Sequence, residues 1–323
     1  MRYLNDEMID ELGVDWHAAA DVIDGAALLL GRKDYAQPIK PYLRYGDPKN
    51  RIIAMPAYVG GEVDTAGIKW VASFPGNLEQ GLQRAHSLTV LNEAATGRPL
   101  AVLNAARISG IRTAAVSASV LRRYMARSGM PEKWQVGIVG YGPIGRLHLR
   151  MIAELLGERL GQAVLYDIRG IEHEHLPEPL RERTMIAGSW QEAYADADLF
   201  VTCTVSSEGY IDLPPKPGSL LLNVSLRDFK PDILEHTRSI LVDDWEEVCR
   251  EGTDIERMHL ERGLKAEDTI PISELADPQT MASLPPEEAV MFNPMGMAVF
   301  DIAMAAHYYR LAEERGVGLT LPD

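Results

Sequence analysis

Gln135-Val136-Gly137-Ile138-Val139-Gly140-Tyr141-Gly142-Pro143-Ile144-Gly145 joins a short apolar run to the motif G-x-G-x-x-G. Residues 135–140 read as a buried strand, and residues 144–156 continue with helical spacing. Each glycine then has a mechanical role: Gly140 permits the tight turn, Gly142 lets the backbone approach a pyrophosphate, and Gly145 lets helix and strand pack closely. Phosphates placed there meet unpaired N–H groups and the positive end of the helix that begins near Ile144. A second strand, residues 163–166, runs into Asp167, twenty-two positions beyond Gly145, where an acid can bind the adenosine ribose hydroxyls. Asp167 repels a 2′-phosphate and so favours NAD, while Arg169 softens that repulsion and leaves NADP open.

Working outward, residues 198–203 and 219–224 read as further strands. Strands alternating with helical stretches indicate an α/β Rossmann domain with a doubly wound parallel sheet. Upstream the texture changes. Short apolar runs at 51–55, 67–73, 87–92 and 100–104 are separated by Gly60-Gly61, Pro75-Gly76-Asn77 and Thr96-Gly97-Arg98-Pro99, which predicts a mainly antiparallel sheet. Helical spacing covers residues 8–30, with Gly31 as C-cap, and residues 111–127, with an alanine-rich face. Gly129 and Pro131 then mark a boundary. A long helix over 296–312 and a strand-like 317–321 close the chain.

A chain of 323 residues, 46% of them hydrophobic, has enough apolar material for two cores and is not disordered. No apolar stretch reaches the roughly 20 residues that span a bilayer, and residues 1–12 lack the basic and apolar regions of a signal peptide. Two cysteines make no disulfide framework, so a reducing cytoplasm is the expected compartment. The net charge of −15 argues against nucleic acid as the main partner. Residues 40–112 nevertheless hold nine basic and five acidic side chains, leaving −19 for the remainder. That is either a fluctuation of surface charge or a pocket for a small anionic ligand.

Several residues within this frame carry possible chemistry. Lys69, in Gly67-Ile68-Lys69-Trp70, is either the solvent-facing member of an alternating strand or a proton-handling group. Arg112 begins a predicted helix, where a cation opposes the dipole unless an anion lies nearby, and an arginine can grip a carboxylate with two hydrogen bonds. Asp228 lies in a loop after a strand, where ligands of open α/β sheets bind, or else starts a turn before Pro231. His173-Glu174-His175 has poor metal-ligand spacing, and no metal site is expected. Cys203 and the methionines from Met291 to Met304 read as packing. His86 and His148 read as cofactor neighbours or as satisfied polar residues.

The chain resembles the ornithine cyclodeaminase/μ-crystallin family. The likeness is carried by Gln37-Pro38-Ile39-Lys40-Pro41-Tyr42-Leu43-Arg44, Asn50-Arg51-Ile52-Ile53-Ala54-Met55-Pro56, Gly67-Ile68-Lys69-Trp70, Arg112-Thr113-Ala114-Ala115, Val242-Asp243-Asp244-Trp245 and Asn293-Pro294-Met295-Gly296-Met297-Ala298. The resemblance implies a substrate-binding and dimerisation domain over 1–127, an NAD-binding Rossmann domain over 128–295, and residues 296–323 completing the first. By the family pattern Arg44 and Arg112 hold a substrate α-carboxylate, with Lys40, Met55 and Arg84 completing the pocket. Lys69 sits beside the reacting amine or imine, and Asp228 activates water. Gly140, Tyr141, Gly142, Pro143, Ile144, Gly145, Asp167, Arg169, Thr202, Thr204, Val205, Ser206, Asn223, Ser225 and Leu226, together with Arg112, line the cofactor.

Two positions depart from ornithine cyclodeaminases. Arg84 replaces a small hydroxylated residue and Pro294 replaces a serine, which argues against ring closure of ornithine and for an additional negative group on the ligand. Within the family the likeness is to the branch that oxidatively cleaves N-(1-amino-1-carboxy-2-ethyl)-L-glutamate to 2,3-diaminopropionate and 2-oxoglutarate, supplying siderophore or other nonribosomal-peptide precursors. A homodimer, a small anionic amino-acid substrate and a cysteine-synthase-like pyridoxal phosphate enzyme as pathway partner are then expected. Ornithine cyclodeaminase, alanine dehydrogenase, ketimine reductase and a non-catalytic NAD-binding protein are the competing readings.

Overall fold

The computed structural model describes residues 1–322, residue 78 by its backbone alone. It divides into two compact units, Met1–Ala115 with the chain from Gly296 onward, and Val116–Met295. The first boundary falls inside the helix Ala106–Met125, not beyond it at 127/128. The second half of that helix makes its bonds within the second unit: Arg123 Nε donates to Leu275 O at 2.6 Å, and the Tyr124 ring lies edge-on to Trp134 at 6.2 Å.

The first unit is built on a sheet in the order Leu319–Thr320, Arg2–Asn5, Pro99–Asn104, Ala85–Glu93, Thr65–Ser73, Arg51–Val59, Tyr35–Ala36, with Tyr42–Leu43 also pairing to Arg51–Val59. Its pairings are antiparallel except Arg2–Asn5 with Pro99–Asn104. Alternation sends Thr65, Gly67 and Lys69 to one face, against which the helix Ala298–Arg315 packs. Gly67 makes that approach possible, since a Cβ there would lie 2.4 Å from Val90 O and 2.9 Å from Ile302 Cδ1.

The single helix expected over residues 8–30 is two helices, Asp6–Leu12 and Trp16–Arg32. Gly13, at φ 75°, ends the first, and the Asp15 carboxylate accepts from Ala18 N to start the second. The second helix runs through Gly31 and ends on Lys33, which adopts the left-handed conformation itself.

The second unit carries an all-parallel sheet in the order Thr184–Ile186, Leu160–Tyr166, Trp134–Val139, Leu199–Thr202, Leu220–Asn223, Val290–Asn293, Ser239–Val242, Thr269–Pro271. Strand order reverses on either side of Trp134–Val139, the switch point where such sheets bind ligands. Thr184–Ile186, Ser239–Val242, Thr269–Pro271 and Val290–Asn293 are strands that the sequence reading did not separate from their surroundings.

Replacing Gly67 by Ala is expected to destabilise the protein by about 1–3 kcal/mol, because the obstructing atom is a backbone carbonyl that cannot swing aside. Urea midpoints of the variant and the wild type measure this, and equal midpoints would show that the sheet relaxes freely.

Candidate active site

The first unit gathers charge in its interior. Met55, Lys69, Thr89 and Leu103 form one cross-strand row, and all four are buried. Lys69 is therefore not the solvent-facing member of its strand; its neighbour Trp70, 41% exposed, is. Lys69 Nζ donates to Asp301 Oδ1 at 3.1 Å, and Arg112 Nε donates to the same oxygen at 2.7 Å. Arg112 stands in the second turn of the helix Ala106–Met125, which starts five residues earlier than expected. The anion that compensates it is Asp301, supplied by the first turn of the helix Ala298–Arg315.

Lys40 is also buried, and its Nζ donates to Gly296 O at 2.8 Å. Gly296, at φ 86°, lies against the Arg112 guanidinium so closely that a Cβ would meet Nη1 at 2.8 Å. Burial, with Arg112 and Lys40 nearby, pushes the Lys69 ammonium down to about 8 despite Asp301. Burial works to raise the Asp301 carboxyl, but the Arg112 and Lys69 charges outweigh it and hold it below the usual carboxylate range. Neither Arg44 nor Arg84 is buried with this set. Arg44 is exposed with its guanidinium 5.3 Å from the Tyr42 ring centroid, and Arg84 is half-buried just before the strand Ala85–Glu93.

In the second unit, Gly140 (φ 90°) packs on the Cys203 backbone and Gly145 on Gly140 O, so neither position admits a side chain. Gly142 faces open space, and among the described residues no side chain caps the helix Pro143–Leu156 that starts after it. The Asp167 carboxylate accepts from Tyr141 N at 2.8 Å and from Arg169 N at 2.9 Å, tying the glycine turn to the end of the second strand. Ile168 and Val205, 89% and 69% exposed, stand in the loops after the two strands that flank Trp134–Val139. An open phosphate cradle, a ribose acid and two bare apolar side chains fit a dinucleotide.

At the carboxyl ends of the strands, Thr202 Oγ1 donates to Asn223 Oδ1 at 3.0 Å, and Asn223 Nδ2 donates to Asn293 Oδ1 at 2.8 Å and Asp254 Oδ2 at 2.9 Å. The Thr202 and Asn223 side chains, expected to line the cofactor, are thus turned into a buried network. Asp228 is buried, its oxygens accepting from Thr204 Oγ1 at 2.5 Å and from Ser225 Oγ. Thr204 Oγ1 also accepts from Ser206 N at 3.1 Å. Leu226, at φ 62°, turns the chain into Asp228, and Asp254 N donates to its carbonyl at 2.7 Å. The Asp254 carboxylate in turn accepts from the Asp228 and Phe229 amides, each at 3.0 Å. His148, buried, receives a bond from Ser117 at 2.9 Å, and burial pulls it down to about 4, so it stays neutral. Burial pushes the Cys203 thiol up, which leaves it protonated and unreactive.

Asp301, Gly296, Asp254 and Ile168 were missed by sequence reasoning. A lone acid in Met297-Ala298-Val299-Phe300-Asp301-Ile302-Ala303-Met304 was the available signal for the first.

The sequence model of the ornithine cyclodeaminase/mu-crystallin family matches residues 15–316. The chain is 31% identical to N-((2S)-2-amino-2-carboxyethyl)-L-glutamate dehydrogenase of Staphylococcus aureus, over 99% of this chain and 98% of that one. An archaeal alanine dehydrogenase dimer solved with bound NAD is 25% identical and superposes with a TM-score of 0.84 over 100% of this chain and 99% of its own. Delta(1)-pyrroline-2-carboxylate reductase of Thermococcus litoralis, solved with NADH and L-proline, shares the fold with a TM-score of 0.88 at 22% identity, over 99% of this chain and 100% of its own.

Burial pushes the Asp254 carboxyl up to about 6, with Asp228 adding to the rise, against the hydrogen bonds it accepts. A folded value above the unfolded one means that the folded state holds the proton more tightly. The wild type should therefore lose stability relative to Asp254→Asn, on the order of 3 kcal/mol, as pH rises from about 4 to about 6. Urea midpoints across that range measure the difference; a flat difference would mean that the buried carboxyl does not titrate there.

Proposed function

We propose that this chain, which belongs to the ornithine cyclodeaminase/mu-crystallin family, is an NAD-dependent amino-acid dehydrogenase whose substrate is N-((2S)-2-amino-2-carboxyethyl)-L-glutamate, the amine also written N-(1-amino-1-carboxy-2-ethyl)-L-glutamate. The observation that carries the substrate is the buried set Lys40, Lys69 and Arg112, with Asp301 bonded to two of the three. Such a cluster is costly unless a ligand brings negative charge to it, and this amine carries three carboxylates. The overall change is substrate, NAD⁺ and water to 2,3-diaminopropionate, 2-oxoglutarate, NADH and a proton.

Gly140 to Gly145 hold the pyrophosphate, Asp167 the adenosine ribose, and Ile168 and Val205 give apolar cover. Bound NAD supplies the acceptor for the hydride that leaves the glutamyl α-carbon. Arg112 and Lys40 hold substrate carboxylates, with Arg44 and Arg84 as outer cations for the third. Lys69, which exchanges its proton near pH 8, and Asp228, relayed through the Thr204 and Ser225 hydroxyls, manage the protons of hydrolysis. Water oxygen adds to the glutamyl α-carbon, the carbon–nitrogen bond breaks, and the nitrogen departs with 2,3-diaminopropionate. That product suits siderophore or other nonribosomal-peptide assembly. Its precursor requires a reaction that joins the amino nitrogen of glutamate to an activated serine-derived β-carbon, chemistry of the pyridoxal phosphate kind.

A homodimer through the outer face of the first unit's sheet accompanies this reading. Pro56, Ile68, Val90 and Val102 form one half-buried cross-strand row, and Ala54, Leu88 and the exposed Trp70 form the next. A contiguous apolar face of this kind calls for a cover, and the archaeal alanine dehydrogenase relative is a dimer. Trp70→Glu should convert the dimer to a monomer by light scattering; an unchanged mass would move the interface elsewhere.

The reaction is tested by following NADH absorbance with N-((2S)-2-amino-2-carboxyethyl)-L-glutamate, L-alanine, L-proline and L-ornithine, with products identified by mass spectrometry. Turnover with the first, giving one 2,3-diaminopropionate and one 2-oxoglutarate per NADH, is expected. Turnover with only another member of the panel would overturn the substrate. Lys69→Met should keep NAD binding, read by fluorescence, while kcat falls by about 10²–10⁴; wild-type turnover would remove Lys69 from the proton path.

A further inference from the structure

We infer that Asp301 is the positioning residue of the cation cluster: its Oδ1 draws Lys69 Nζ and Arg112 Nε onto one point and sets the pH at which Lys69 gives up its proton. Both donors reach the same oxygen, at 3.1 and 2.7 Å. Lys69 and Arg112 come from a strand and a helix, Thr65–Ser73 and Ala106–Met125, and Asp301 from a third element. The contact with Arg112 uses Nε and leaves its terminal Nη pair, one of the two edges by which an arginine binds a carboxylate bidentately, to other partners. Asp301 thereby orients the Arg112 fork while opposing its charge.

Among the described residues, the charged groups that act on Lys69 are led by Asp301, Arg112 and Lys40. Two of these disfavour the ammonium, and burial disfavours it further. Asp301 is the one of the three that favours it. Removing that charge alone should leave Lys69 neutral across the physiological range. The position of Asp301 in the first turn of its helix adds the helix dipole to the forces that keep it ionised.

The other carboxylate oxygen makes the idea testable. Oδ2 is buried with no hydrogen-bond partner among the described residues. In Asp301→Asn the amide oxygen can therefore keep both cationic donors, with the NH₂ group at the Oδ2 position. Geometry is kept and charge is lost. Asp301→Glu retains the charge one methylene further out.

This deepens the proposed dehydrogenase reading, on which the catalytic meaning of the Lys69 proton rests. The titration itself is read without turnover, so the two can fail separately. The protein has eight lysines, few enough for the side-chain Cε resonances of ¹³C-lysine-labelled protein to be separated, with Lys69 assigned by its loss in Lys69→Met. In the wild type, Lys69 should titrate near 8. In Asp301→Asn it should move lower by about one to three units, and in Asp301→Glu it should return toward the wild-type value. The pH limb of kcat should move with it. An unmoved Lys69 titration in a folded Asp301→Asn would overturn the assignment. The wild type gives a second reading that needs no variant. A buried pair is little screened, so its Lys69 titration should be the same in about 0.1 M and about 1 M salt, and a salt-dependent shift would also overturn it.

Discussion

Lys69 and Arg112 share one oxygen of Asp301 inside the first unit, and the surrounding architecture makes that arrangement attainable. Charges taken out of water cost several kcal/mol each, and a buried ion pair seldom returns more than it costs against an apolar replacement. The elements that carry these charges must therefore be held by other forces. The sheet supplies part of that hold, with nine-residue strands Arg51–Val59, Thr65–Ser73 and Ala85–Glu93 in continuous antiparallel register. The helix Ala298–Arg315 supplies the rest, its alanines and Ile302 resting on the face that Gly67 keeps low. Apolar packing on both sides of Asp301 stabilises the unit, and the charges use that stability.

The second unit uses polar groups differently. Thr202, Asn223 and Asn293 end three adjacent parallel strands, and their side chains bond to one another in a line. Asp254 anchors this line and also accepts the amides that follow Leu226, so a left-handed non-glycine residue is held where the chain turns into Asp228. Buried polar networks are favourable only when nearly every member is bonded, and here Asp254 also fixes the Asp228 and Phe229 backbone amides beyond the carboxyl edge of the sheet. The same edge bears the glycine turn. A rigid rim beside an open cradle lets a ligand bind with little ordering of the protein.

Much of this was legible in the sequence because it rests on local rules. G-x-G-x-x-G between a strand and a helix, with Asp167 at the following strand end, reports a backbone conformation that few other residues could adopt. The antiparallel texture before residue 106 is likewise written in its turns. The break at Gly13 was hidden because apolar spacing continues across it, while the cap at Asp15 depends on one carboxylate. Short interior strands such as Ser239–Val242 lack alternation because both faces are covered. Asp301 stands out as a lone acid, but its role and that of Asp254 were out of reach for a different reason. Their partners lie beyond any one turn or strand, 232 and 189 residues away for Asp301 and 25 to 31 for Asp254, and no local spacing encodes such a meeting.

The division between buried and exposed cations bears directly on selectivity. With Lys69 protonated, Lys40, Lys69 and Arg112 exceed Asp301 by two charges in a place that water screens poorly. A monocarboxylate amino acid such as alanine brings one carboxylate together with its own ammonium, and so leaves that excess unanswered. A secondary amine bearing three carboxylates can place two against the buried set and still present a third to Arg44 or Arg84. Arg44 is exposed, where screening weakens a single contact to about 1 kcal/mol or less. Under the proposed substrate, discrimination against small amino acids would reside in the buried cations, and the outer arginines would act mainly by drawing the polyanion toward a protein whose overall charge repels it.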